Sequence, residues 1–302
     1  MFERWRPILA ATLFALSVLC TRGPVEGSSR VRVVGAENFY ADVIAQIGGR
    51  YIAVVSVLSN PNTDPHAYES STVDASAVAA ADLVVQNGVG YDDFMQKLEA
   101  ASPNDKRTVI DVGMLVGRKK GDNPHLWFDS RVMPKVAARI EKELEQRDPA
   151  HAAYYRAHLR TFDRSLDSWT STLAALRRQY AHTPVAVTEP VFNYVLDAVG
   201  VDVRTPESFQ LAVEEGSDPA PQDVRAVRGL ISGGTAKVLV YNQQTVEPST
   251  AKLLTLARSS RVPVVGVYET MPAAKTYQGW MLAETLALQA ALSHGISTET
   301  IR

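Results

Sequence analysis

The chain has 302 residues and 46% hydrophobic content, enough for one large or two medium domains with true cores. Its formal net charge is −2, so no strong field points to nucleic acid or to an anionic membrane surface. A single cysteine, Cys20, excludes an internal disulfide framework and a thiolate metal site.

Arg4 and Arg6 precede the apolar run Ile8–Cys20. That run is about a dozen residues, short of the roughly 20 that span a bilayer, and reads as the hydrophobic region of a signal peptide. Residues 1–27 are therefore assigned to export, and a periplasmic or otherwise extracytoplasmic protein is expected. Leu19 stands where a lipoprotein signal favours a small residue, and no Ala-x-Ala site is present, so lipidation at Cys20 is the alternative to a freely soluble product.

From Val31 a regular alternation begins. Strands are predicted over Val31–Ala36, Ile52–Leu58, Asp82–Gln86 and Thr108–Val112, and helices over Phe39–Ile47, Val73–Ala81, Asp92–Ala101 and Val132–Leu144. Between Asp148 and about Tyr180 the apolar residues Leu159, Phe162, Leu166, Trp169, Leu173, Leu176 and Tyr180 recur three and four apart, on one helical face. Asp148 is the expected N-cap with Pro149 at the first helical position, and Arg177 and Arg178 suit the C-terminal dipole. Such a helix is on the order of 45 Å long. It contains no internal glycine or proline, so it reads as a rigid spine, and a small motion between its flanking lobes is expected.

The alternation then restarts. Strands are predicted over Pro184–Val187, Lys237–Tyr241 and Val262–Val267, and helices over Val191–Val199, Gln222–Ile231, Thr250–Ala257 and Tyr277–Ser293. The fold class is α/β: two lobes with mainly parallel sheets, residues 28–147 and 182–302, joined by the helix of residues 148–181.

In open parallel sheets ligands bind beyond the carboxyl ends of the strands. Four residues able to bind a metal stand there: His66, His125, Glu189 and Glu269, two from each lobe. Both histidines follow proline, in Asn62-Thr63-Asp64-Pro65-His66 and Asp122-Asn123-Pro124-His125, so each imidazole rides on a stiffened loop. His151 and His158 on the spine are read as solvated, and His182 and His294 as cations at helix C-termini. No dinucleotide fingerprint, phosphate loop, nucleophile elbow, His-Glu-x-x-His motif or Cys–His pair is present.

The segments Asp64-Pro65-His66-Ala67-Tyr68-Glu69, Asn123-Pro124-His125-Leu126-Trp127-Phe128-Asp129, Thr188-Glu189-Pro190-Val191-Phe192-Asn193-Tyr194 and Tyr268-Glu269-Thr270 resemble the successive signatures of zinc/manganese solute-binding proteins, the receptors of ABC importers for divalent metals. Val213-Glu214-Glu215-Gly216-Ser217-Asp218-Pro219-Ala220-Pro221 is similar to that family's loop before the next helix. The resemblance implies an ion in the cleft between two lobes, with His66, His125, Glu189 and Glu269 as its ligands and a permease as partner. The protein is expected to be a monomer that binds no nucleic acid, needs no cofactor and is not an enzyme.

Zinc importers of this family often carry a third histidine where Glu189 stands, and many carry a His-rich loop where this chain has Gly117–Asp122. Two imidazoles with two carboxylates form a harder set, which leans toward manganese, although zinc outcompetes manganese at most nitrogen and oxygen sites. The competing readings are a metal-dependent hydrolase, with Asp64 or Glu69 as base, and a receptor for an organic ligand such as a siderophore.

Overall fold

The computed structural model describes residues 1–3, 30–60, 63, 68–245 and 247–301. Residues 4–29 with Cys20, and residues 64–67 with Asp64 and His66, lie outside the described residues.

In chain order the elements are β1 (Val31–Glu37), α1 (Asn38–Gly48), β2 (Ile52–Leu58), α2 (Thr72–Ala80), β3 (Leu83–Gln86), α3 (Asp93–Ala101), β4 (Thr108–Asp111), α4 (Val112–Val116) and α5 (Met133–Arg147). The spine follows as α6 (Ala152–Ser165) and α7 (Asp167–Tyr180). Beyond it come β5 (Pro184–Val187), α8 (Asn193–Val199), β6 (Asp202–Val203), α9 (Glu207–Glu214), α10 (Pro221–Ser232), β7 (Leu239–Asn242), α11 (Pro248–Ser259), β8 (Val264–Val267) and α12 (Tyr277–His294).

Two four-stranded sheets result, ordered β2-β1-β3-β4 and β6-β5-β7-β8, and every pairing is parallel. The two orders are the same permutation, so each sheet has its switch point beside its first strand, where a crevice opens at the carboxyl ends. Strand residues alternate between cores, as the pleat requires. Val33, Leu83, Val85, Val185, Val187, Val240 and Val265 enter one central cluster shared by both lobes and the spine. Val34 and Val84 face a separate cluster of the first lobe, and Ala186, Leu239 and Val264 one of the second. Gly35 lets α1 lie close on β1, since a Cβ there would stand 2.6 Å from the Ala41 nitrogen. Among the described residues no helix is long and apolar enough to cross a membrane.

The spine departs from a single uninterrupted helix. A 3₁₀ turn over Pro149–His151 leads into α6, and the ladder tightens at Leu166, whose N–H donates to the Asp163 carbonyl at 3.1 Å while the Ser165 hydroxyl donates to the Phe162 carbonyl. Asp148 does not cap the helix through its side chain, because its carboxylate accepts from the Tyr155 hydroxyl and meets Nδ1 of His151. The expected apolar face is nonetheless the buried one: Phe162, Leu166, Trp169, Leu173 and Leu176 all lie in the central cluster. His151 and His158 are not merely solvated. They stack on Tyr51 and Tyr154, and Nδ1 of His158 donates to the Gln46 carbonyl.

The lobes are also bonded directly to one another. Asn38 exchanges two hydrogen bonds with the backbone of Met271, the N–H of Tyr277 donates to Asp42, and Gln46 pairs with Gln278. Deeper in, the Tyr277 hydroxyl donates to the Trp127 carbonyl and the Tyr194 hydroxyl to the Asn123 carbonyl.

Candidate functional site

His125 is held by its neighbours in sequence. Leu126, Trp127 and Phe128 form a 3₁₀ turn and are all buried, so the residue before them has little backbone freedom. Asn123 fixes the ring. Its Nδ2 donates to the Pro190 carbonyl at 2.9 Å, an atom that can only accept, so the other end of the amide is the oxygen. That oxygen accepts from the His125 backbone N–H at 3.0 Å and lies 2.8 Å from Nδ1. Nδ1 therefore carries a proton, and in the neutral ring the lone pair sits on Nε2, the tautomer that metal coordination requires.

Nε2 points across the cleft at carboxylates of the second lobe, 3.4 Å from Oε1 of Glu269 and 3.7 Å from Oε1 of Glu214. Glu269 follows β8 and Glu189 follows β5, at the carboxyl ends of their sheet. Asn242, the last residue of β7, lies between them. Its Nδ2 donates to Oε2 of Glu189 at 3.0 Å and to Oε2 of Glu269 at 2.9 Å. Its Oδ1 accepts from the Gln244 N–H, and Oε1 of Gln244 accepts from the N–H groups of Glu269 and Thr270. From behind, Oε1 of Glu284 on α12 accepts from the Tyr268 N–H at 2.7 Å and from the Trp280 indole at 2.7 Å. The Glu269 loop is thus bonded from β7 and from α12.

Electrostatically the site is a buried acidic pocket facing one imidazole. Burial is the main cause that lifts the Glu189 carboxyl to about 8; nearby Glu269 and Glu214 add to it, and the Asn242 bond and His125 oppose it. Burial pulls the His125 imidazole down, but Glu269, Glu214 and Glu189 outweigh it, and the net direction is up. Oε1 of Glu189 is buried and makes no hydrogen bond among the described residues. Buried carboxylate oxygens of this kind call for a cation. Among the described residues no group of three His, Cys, Asp or Glu side chains is yet gathered tightly enough to hold an ion.

The site brings together His125, Glu189 and Glu269; His66, the fourth expected ligand, lies outside the described residues. His182 and His294 are exposed and distant in the fold, at the ends of α7 and α12. Three participants were not singled out from sequence: Asn123, Asn242 and Glu214. Asn123 was readable as the residue two before the histidine. Asn242 gives no such signal because an amide is not an expected ligand, and Glu214 gives none because its segment reads as loop rather than as the end of α9.

Comparison with known proteins agrees in fold and in kind. The model of the family described as zinc-uptake complex component A, periplasmic, matches residues 33–291. The manganese-binding lipoprotein MntA of Bacillus subtilis is 25% identical over 80% of this chain and 82% of its own length. The iron-binding protein YfeA of Yersinia pestis is 22% identical over 80% of this chain and 78% of its own. Among solved structures, the periplasmic zinc-binding protein TroA of Treponema pallidum superposes with a TM-score of 0.72 at 16% identity, covering 89% of this chain and 100% of that one. A manganese-bound periplasmic metal-binding protein from Candidatus Liberibacter asiaticus gives 0.68 at 15% identity, covering 86% and 98%.

Proposed function

Since the chain belongs to the family of periplasmic zinc-uptake components, we propose that it is an extracytoplasmic receptor that captures a divalent transition-metal ion between its lobes and hands it to an ABC permease. Its ligands are His66, His125, Glu189 and Glu269. The observation that carries this reading is the cross-lobe pairing of Nε2 of His125 with Glu269, in a ring whose tautomer Asn123 fixes and beside carboxylates that Asn242 aligns. Loading draws these side chains inward around the ion. At least four protein donors surround the ion, which suits capture rather than turnover, because catalytic zinc keeps a position open. The donor set leans toward manganese. The protein works as a monomer, with residues 1–27 removed on export or Cys20 lipidated instead, lobes over 28–147 and 182–302, and residues 148–181 between them.

Calorimetric titration with zinc and with manganese tests it on His125→Ala and His66→Ala. Each variant is expected to lose high-affinity binding while keeping its melting cooperativity, since the sequence places both residues outside the predicted strands and helices. Retained tight binding in either one removes that histidine from the ligand set.

A further inference from the structure

The interlobe cleft, about 520 Å³ in volume, is lined by Glu189 and Glu269 and also by Glu214 from α9. We propose that Glu214 is a direct ligand of the captured ion, supplying a further carboxylate oxygen from the last turn of α9. This rests on the metal-receptor reading above.

Distance is the first argument. Donor atoms on one first-row ion, with bonds of about 2.0–2.2 Å, stand roughly 3.0–3.7 Å apart from octahedral to trigonal geometry. Oε1 of Glu269 and Oε1 of Glu214 lie 3.4 Å and 3.7 Å from Nε2 of His125, so each taken singly already stands at an edge length from the imidazole, and loading has only to draw the two carboxylates together.

Placement is the second. Glu214 closes a helix, where the dipole disfavours an anion and a bound cation would offset that. Its side chain is only 10% exposed, whereas its neighbour Glu215 faces solvent. Phe209 and Val213 bury the helix's inner face, and Ser217 closes its end through two bonds to the Ala212 carbonyl, so α9 presents Glu214 from a fixed support.

The third argument concerns supply of oxygen atoms. Asn242 occupies Oε2 of both Glu189 and Glu269, which opposes two-oxygen chelation by either. Oε1 of Glu189, in a residue 5% exposed, makes no hydrogen bond among the described residues and opens onto the same cleft. A fifth protein oxygen must then come from another residue. Glu214 raises the count to five donors, a number that manganese accepts and that tetrahedral zinc does not favour.

The test compares wild type, Glu214→Gln and Glu214→Ala, with Glu215→Gln as control, each loaded with cobalt(II) and titrated with manganese and zinc chlorides. Wild type and Glu215→Gln should give the weak visible bands of a five-coordinate ion. Both Glu214 variants should give the stronger bands of a four-coordinate one, and lose about tenfold or more in manganese affinity with a smaller loss for zinc. Spectra and a manganese-to-zinc affinity ratio unchanged in both variants overturn the assignment. His125→Ala separates the two levels. Lost binding there with an unaltered Glu214→Gln sinks only this inference, whereas a wild-type protein that takes up none of the three metals sinks the receptor reading itself.

Discussion

Asn242 gives one amide group to two carboxylates, and that economy makes it a sensitive position. Without it, Glu189 and Glu269 lose a shared donor inside a buried pocket and are free to repel one another. Residues that orient metal ligands typically cost 10–100-fold in affinity when removed. Asn242→Ala is therefore expected to weaken manganese binding by about that factor, read by competition with a chromogenic chelator; an affinity within about twofold of wild type contradicts the role. Protonation acts on the same atoms. In the proposed site, coordination needs an ionised Glu189, whose carboxyl is lifted to about 8, and a neutral His125, whose imidazole is also raised. Both groups bind protons more strongly than their free counterparts, so affinity should decline as pH falls below about 8, rather than only near 5, where an ordinary carboxyl would begin to matter. Titration in buffers of different ionisation enthalpy should register proton release on loading at pH 7. No buffer dependence and a flat affinity from pH 8 to 6 contradict this.

At the scale of elements, the spine does most of the joining. Trp169 on α7 is fully buried, and its indole donates to Thr285 on α12. Trp169→Ala should cost about 3–5 kcal/mol, seen as a lowered denaturation midpoint, because the cavity opens in the cluster shared by both lobes. Much of this level was legible in advance. The valine-rich strands stand between turn residues, so Ile52–Leu58 and Pro184–Val187 match their expected bounds, and the spine's buried face follows from its spacing. What escaped was short. β6 has two residues, and α9 offers little beyond Phe209 and Val213 to mark a helical period. The site was legible where a ligand type followed a strand or a proline. It was not legible where sheet register does the work: Asn242 meets two glutamates because β7 pairs between β5 and β8, setting Val240 against Val187 and Asn242 against Val267.

At the scale of the molecule, buried acids govern the response to pH. Burial lifts Glu284 to about 8 and Asp92 to about 7, and raises Glu37 well above its usual range, in addition to Glu189. Each binds protons more tightly folded than unfolded, so its contribution is fully present below the unfolded value of about 4–4.5 and is lost as pH rises through the folded one. Asp74, Asp82, Asp129 and Glu143 are shifted down by hydrogen bonds that outweigh the burial opposing them, and their contributions are lost only in stronger acid. The metal-free protein should therefore melt at a higher temperature at pH 5.5 than at pH 8.5, by differential scanning calorimetry. Bound metal should narrow the gap, since it compensates the charge on Glu189. A metal-free melting temperature that rises over that interval contradicts the account.

The bonds between lobes carry one more consequence. In the proposed site, a donor set split across two bodies makes the ion a rivet, and the tightness of a rivet depends on how firmly the plates are pressed together. Asn38 against Met271 and Asp42 against Tyr277 provide that pressure without touching the ion. Residence time thus becomes a mechanical quantity as well as a chemical one, and a permease that prises the plates apart need not compete for the metal at all. Asn38→Ala, with every donor intact, should release manganese to excess chelator several-fold faster than wild type while changing the arrival rate little. An unchanged release rate would place the whole of the grip in the donors.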